Sequence, residues 1–259
     1  FCVTEHQRAQ LAQGEFEVCI DASLAPGHLT YAEAVLPGRS SDEVLISAHV
    51  CHPSLANDNL SGIAISAFLA RELAGRERRL TYRFLYAPGT IGALTWLARN
   101  RDAAAAVRYG VTLVCLGDDR PLCYKRTFHG TTPVDRAFEH VVQRRGGKVV
   151  DFSPYGYDER QYNAPGFRLA VGSLMRGRHG EFPEYHTSGD CPDFVKPERL
   201  EDSLDALLEV VEILEGNARY RNLQPFGEPQ LGRRGLYRAV GGYTDPGELQ
   251  MAMLWVLSM

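Results

Sequence analysis

Residues 43–75 read EVLISAHVCHPSLANDNLSGIAISAFLARELAG, and the change of period inside this stretch decides the fold. EVLISAHV is a short apolar run of the kind that forms a buried strand. After the polar loop CHPSLANDN, apolar residues recur every three or four positions. That spacing predicts a helix opening behind Asn59 or Ser61 and closing at Gly75.

Working outward, the alternation continues. TYRFLYAP reads as a strand, IGALTWLARNRDAAAAV as a helix and VTLVCLG as a strand. TPVDRAFEHVVQRRG is the next helix, KVVDFSP and FRLAVGSL are strands, and PERLEDSLDALLEVVEILEGN is the last clear helix. Upstream, EFEVCIDASL and YAEAVLPG read as strands joined by a turn at Pro26-Gly27. The βαβαβ order predicts an α/β fold: a mostly parallel sheet with helices on both faces. Residues 1–221 are expected to form this domain. Residues 222–259 are expected to be a Gly- and Pro-rich linker followed by the start of a C-terminal segment, ELQMAMLWVLSM.

The 259 residues are 44% hydrophobic, ample for a buried core. Formal charge is −4, with Lys and Arg scattered, so neither a nucleic-acid nor an anionic-membrane footprint is visible in this domain. The expected partner is a small-molecule or peptide substrate, and a homo-oligomer is compatible with the composition. No run approaches the ~18 to 20 apolar residues of a spanning helix, and the start FCVTEHQRAQ has no apolar signal core, so a cytoplasmic location is expected. The six cysteines are widely spaced without a CxxC, which suits reduced thiols.

The chemistry-bearing residues fall where strands stop, the place where open α/β sheets bind ligands. His49 and His52 follow the strand EVLISA, and Asp58 lies in the loop before the helix. Asp118 follows VTLVCLG. Asp158, Glu159 and Arg160 lie together in YGYDERQYNAPGF, and Glu184, Tyr185 and His186 in EFPEYHTSGD. Imidazole nitrogen and carboxylate oxygen are ligands that Zn²⁺ takes. Each cluster alone also has a plainer reading as a helix cap, a turn or a solvated ion-pair group.

Taken in order, SAHVCHP, LANDNLSG, YAPGTIG, LGDD, YDERQYNAPGF and YHTSGD resemble the zinc aminopeptidase superfamily that includes bacterial leucyl aminopeptidases and glutaminyl cyclases. The wording CHPSLANDNLSG, DERQY, PGF and GEFPEYHTS is similar to a subgroup of aminopeptidase-like proteins associated with polysaccharide or secondary-metabolite biosynthesis. In that subgroup more sequence precedes Phe-Cys and a winged-helix segment follows, so by this resemblance the chain is trimmed at both ends. The resemblance implies the phosphorylase/hydrolase-like arrangement of the sheet and a zinc site. By it, Asp58 matches the bridging aspartate, Asp118 a ligand of one zinc and His186 the histidine of the other. The first histidine is His49 by its place after the strand, or His52 by the Cys-His-Pro wording.

The family's Glu-Glu pair is missing, its positions held by Gly89 and Thr90. Its first glutamate is the family's general base and its second a metal ligand, so one zinc ion is expected rather than two. A single zinc can still acidify water and polarise a carbonyl, but it needs a substitute base. Glu159 is the first candidate and Glu184 the second. Asp158 is expected to support the site, Tyr185 to donate to a developing oxyanion, and Arg160 to hold a substrate carboxylate. The expected activity is zinc-dependent hydrolysis of an amide in an aminoacyl or peptidyl small molecule. The alternative is a non-catalytic metal-binding module in a biosynthetic or regulatory complex.

Overall fold

The computed structural model describes residues 3–218, 221–223, 226–227, 230–236 and 247–258. The chain divides into two compact units, Phe1–Thr30 and Tyr31–Met259. In the first, helix α1 (Glu5–Gln10) is closed by a reciprocal cap. The Gln7 amide donates to Thr4 Oγ1 at 3.1 Å, and the Thr4 amide donates to Gln7 Oε1 at 2.9 Å. The expected strand EFEVCIDASL does not form; residues 15–24 are exposed and carry no ladder. Alternating side chains make a strand only where a neighbour takes the backbone hydrogen bonds, and among the described residues none does so.

The second unit is built on seven strands. These are β1 (Ala32–Leu36), β2 (Glu43–His49), β3 (Thr81–Ala87), β4 (Val107–Leu113), β5 (Cys123–Lys125), β6 (Lys148–Val150) and β7 (Val171–Met175). Their order is β1-β3-β2-β4-β7-β5-β6. The pairs β3/β2, β2/β4, β4/β7 and β5/β6 are parallel, while β1/β3 and β5/β7 are antiparallel. The sheet is therefore mostly parallel, and β2, buried at every position, runs near its centre.

Helices cover both faces, as the period-2 geometry of β2 requires. Val44 and Ile46 pack with α2 (Gly62–Ala74), α5 (Pro133–Arg144) and α7 (Pro197–Gly216), through Leu69, Phe138 and Leu207 among others. Leu45 points the other way, into a cluster containing Trp96 and Leu97 of α3 (Ile91–Arg99), Ala104 of α4 (Arg101–Ala106) and Tyr162 of the short α6 (Glu159–Tyr162).

The helix expected over IGALTWLARNRDAAAAV is two helices. Asn100 leaves helical geometry (φ −125°, ψ 48°), and both its amide and its side-chain Nδ2 donate to Trp96 O at 2.9 Å, closing α3. Asparagine favours such local bonds over continuing a helix. Strand β4 begins at Val107, earlier than VTLVCLG suggests, and ends at Leu113. Most of the expected linker lies outside the described residues, as does Met259; ELQMAMLWVLS falls in α8 (Gly247–Ser258). Among the described residues no helix is long and apolar enough to cross a membrane.

Candidate metal centre

Loop 56–61 carries the centre because alternate side chains tie it to the segment after β4. Asn57 Oδ1 accepts from the Gly117 amide at 2.8 Å, Asn59 Oδ1 from the Cys115 amide at 3.2 Å, and Ser61 Oγ from the Leu116 amide at 2.9 Å. Asp58 belongs to the other set of positions, so it is left facing the histidines. Gly62 permits this docking: a Cβ there would lie 2.6 Å from Leu113 O. Asp190 holds the loop from the far side, its two oxygens accepting from the amides of Asn57 (2.5 Å) and Asp58 (2.9 Å).

Three histidines then meet one buried carboxylate. His49 Nε2 lies 2.7 Å from Asp58 Oδ1, while His186 Nε2 and His52 Nε2 lie 3.0 and 3.7 Å from Asp58 Oδ2. Burial pushes the Asp58 carboxyl up, but the hydrogen bond and charge of His49, with His52 and His186, outweigh it and hold the group below the usual carboxylate range. Burial pulls His52 down and Asp58 pulls it up, with His186 and His49 adding to the downward side; the net direction is down. Neutral imidazole and ionised carboxylate are the forms a metal needs.

His52, Asp58 and His186 each offer a ligand atom, and these atoms lie within 4.8 Å of one another. In a tetrahedral zinc site with bonds near 2.0–2.1 Å, neighbouring ligand atoms stand roughly 3.3 Å apart. The separations of 3.0 and 3.7 Å bracket that figure, so Asp58 Oδ2 is spaced from each of the two histidines as ligands of a single ion are. The structure thus places both candidate histidines on Asp58: His52 shares an oxygen with His186, and His49 takes the other.

The remaining sequence candidates have other immediate partners. Asp118 is fully buried and engaged on both oxygens: Asn57 Nδ2 (3.0 Å) and the Gly177 amide (3.1 Å) donate to Oδ2, the Arg120 amide (2.9 Å) and guanidinium (3.2 Å) to Oδ1. Glu159 is buried in an ion pair with Lys125 at 2.8 Å, and its other oxygen accepts from the Tyr157 amide at 3.0 Å. Asp158 is 3% exposed, and its Oδ1 has no hydrogen-bond partner. Burial, then the charge of Glu159, pushes its pKa up to about 7. Arg160 is exposed and forms no ion pair among the described residues. Glu184 Oε2 lies 3.9 Å from the Arg120 guanidinium and takes no hydrogen bond. Tyr185 stacks on His186, ring centres 3.9 Å apart.

The space beside Gly89 is filled. The Tyr157 ring lies against it, 4.5 Å from the His49 ring, and its hydroxyl meets Cys51 Sγ at 3.2 Å. Sequence reasoning missed Tyr157, Lys125 and Asp190. Only Asp190 carried a signal, as the last residue of YHTSGD.

Fold and site define an aminopeptidase-like α/β protein with a His/Asp cluster able to hold a metal ion. The chain belongs to the family described as Domain of unknown function (DUF4910), whose model matches residues 11–217; a winged helix-turn-helix model matches 218–259. A Clostridium acetobutylicum protein, named for polysaccharide biosynthesis and an aminopeptidase-like domain, is 44% identical over 261 residues. The match takes in 100% of this chain and 60% of that protein. A crystal structure from the same organism matches with TM-score 0.85 and 42% identity, over 99% of this chain and 58% of that one. A Bacillus subtilis zinc aminopeptidase shares the fold (TM-score 0.61, 18% identity), over 73% of this chain and 51% of the enzyme. The chain thus spans less than two thirds of each of these relatives.

Proposed function

We propose that this chain is a one-zinc hydrolase that cleaves an amide of an aminoacyl or peptidyl small molecule. The convergence of His52 Nε2, Asp58 Oδ2 and His186 Nε2 at the sheet's carboxyl end carries this reading. Bound there, zinc supplies Lewis acidity toward a carbonyl and toward water. His49 fixes Asp58 through its other oxygen, and Asp190 fixes the backbone that bears Asp58. Tyr157 and Tyr185 present phenols beside the histidines, donors suited to a developing oxyanion. Burial pushes both phenols up, so they hold their protons at neutral pH. Glu159 is committed to Lys125, which leaves Glu184, two residues before His186 with an oxygen that takes no hydrogen bond and only a 3.9 Å ion pair to Arg120, to move the proton.

The second reading is a metal-binding module without turnover, and the Tyr157 ring against Gly89 favours it. Metal analysis together with a panel of aminoacyl amides, peptides and N-acylated amino sugars separates the two; the sugars are included because of the Clostridium relative's name. The hydrolase reading expects zinc, turnover, and a loss of about a hundredfold or more in Glu184→Gln. Zinc with no turnover on the whole panel supports the module.

A further inference from the structure

Two adjoining clefts at the carboxyl end of β7 are lined with cations that the hydrolase reading does not use. One, about 170 Å³, is walled by Arg120, Lys148, Arg176 and Arg178, with Glu181 as its acid. The other, about 60 Å³, is lined by Lys125 and His179, has Asp151 and Glu159 as its acids, paired with Arg126 and Lys125, and shares Arg178 and Val150 with the first. The strand register explains their position. Cys123 pairs with both Lys148 and Met175, so the starts of β5 and β6 lie beside the end of β7. This is the end of the sheet that bears the metal centre.

The cations are not equally available. Arg176 is buried and bound to Asp202, to Ser203 Oγ (3.0 Å) and to the Arg120 carbonyl (2.8 Å), so it builds the wall. Arg120 is held by Asp118. Lys148 is exposed and has no carboxylate within ion-pair distance among the described residues. Arg178 meets Glu181 at 2.9 Å, but both side chains are about half exposed, and such a pair contributes only about 0–1 kcal/mol. An incoming anion displaces it at little cost.

A second observation points the same way. His179 Nε2 is buried without a hydrogen-bond partner on the lining of the smaller cleft. Its ring is 6.0 Å from that of Tyr185, which stacks on His186. A ligand seated at Arg178 therefore has its remainder beside the metal centre.

We infer that these clefts seat a phosphoryl group carried by the substrate. A carboxylate is satisfied by one guanidinium fork, whereas a phosphoryl group brings roughly −1.5 to −2 charges and three strong acceptors. Lys148, Arg178 and His179 supply donors from two sides. Naming the ligand a substrate rests on the hydrolase reading; the binding itself does not.

The test is calorimetric titration of chelator-treated, metal-free protein with inorganic phosphate and with pyrophosphate, at constant ionic strength against chloride. Saturable binding is expected, weakened about tenfold or more by Lys148→Gln and by Arg178→Gln. Lys148→Arg should keep it, as should Arg71→Gln on α2, a residue that lines neither cleft. Phosphate and pyrophosphate binding no better than chloride, or binding unchanged in both glutamine variants, overturns the inference. Zinc content measured on the same variants keeps the two readings apart: phosphate bound without zinc retention upholds the cleft and sinks the hydrolase, and the reverse result sinks the cleft alone.

Discussion

The ring of Tyr157 occupies the space that a side chain at residue 89 would need. A Cβ built on Gly89 would come within 3.0 Å of its Cε1, Cζ and Oη, nearer than real Cβ atoms approach. The position that the resemblance assigns to a catalytic glutamate is thus built over. Gly89→Glu should therefore destabilise the protein, by about 1–3 kcal/mol as overpacking does, and should not raise activity. Adding Tyr157→Ala should recover much of that loss. Denaturant midpoints of the two single variants and the double variant check this, and additive losses would count against it.

Glu159 reads in sequence as a base, yet it is buried against Lys125. Glu159→Gln leaves an ammonium buried with the Tyr155 carbonyl, 2.6 Å away, and should cost about 3–5 kcal/mol. Combining it with Lys125→Met should restore much of the stability. Urea unfolding measures both effects. A Glu159→Gln variant as stable as wild type, but without turnover, would return the residue to catalysis.

Asp158 makes a pH-dependent contribution whose sign follows from its raised pKa. From about pH 4 to 7 the unfolded chain ionises this carboxyl while the native state keeps its proton, so native stability falls as pH rises and the loss is complete above about 7. Asp158→Asn removes this dependence. Its stability relative to wild type should climb across that window to a plateau on the order of 4 kcal/mol. Stability curves at several pH values read it directly, and a constant difference between the two proteins would refute the account.

Elements with a full period were legible in the sequence. Strand β2 and helix α2 stand where EVLISAH and the apolar spacing behind Ser61 place them. Strand β5, three residues between a turn and a loop, is too short to show a period. At the site, Asp58, His52 and His186 were legible as ligand types near strand ends. What each carboxylate meets was not. Asp118 and Glu159 look as available as Asp58 in sequence, but their oxygens are taken by groups from distant segments: Gly177 and Asn57 for one, Lys125 for the other. Likewise, nothing local at Gly89 reveals that a tyrosine from another loop fills its space.

The central claim is that His52, Asp58 and His186 hold a single zinc ion, and metal analysis tests it most directly. The purified protein is loaded with zinc, freed of excess and assayed beside His52→Ala and His186→Ala. The account predicts one zinc per wild-type chain and none retained by either variant. Two zinc ions per wild-type chain, or full retention after either substitution, would contradict it.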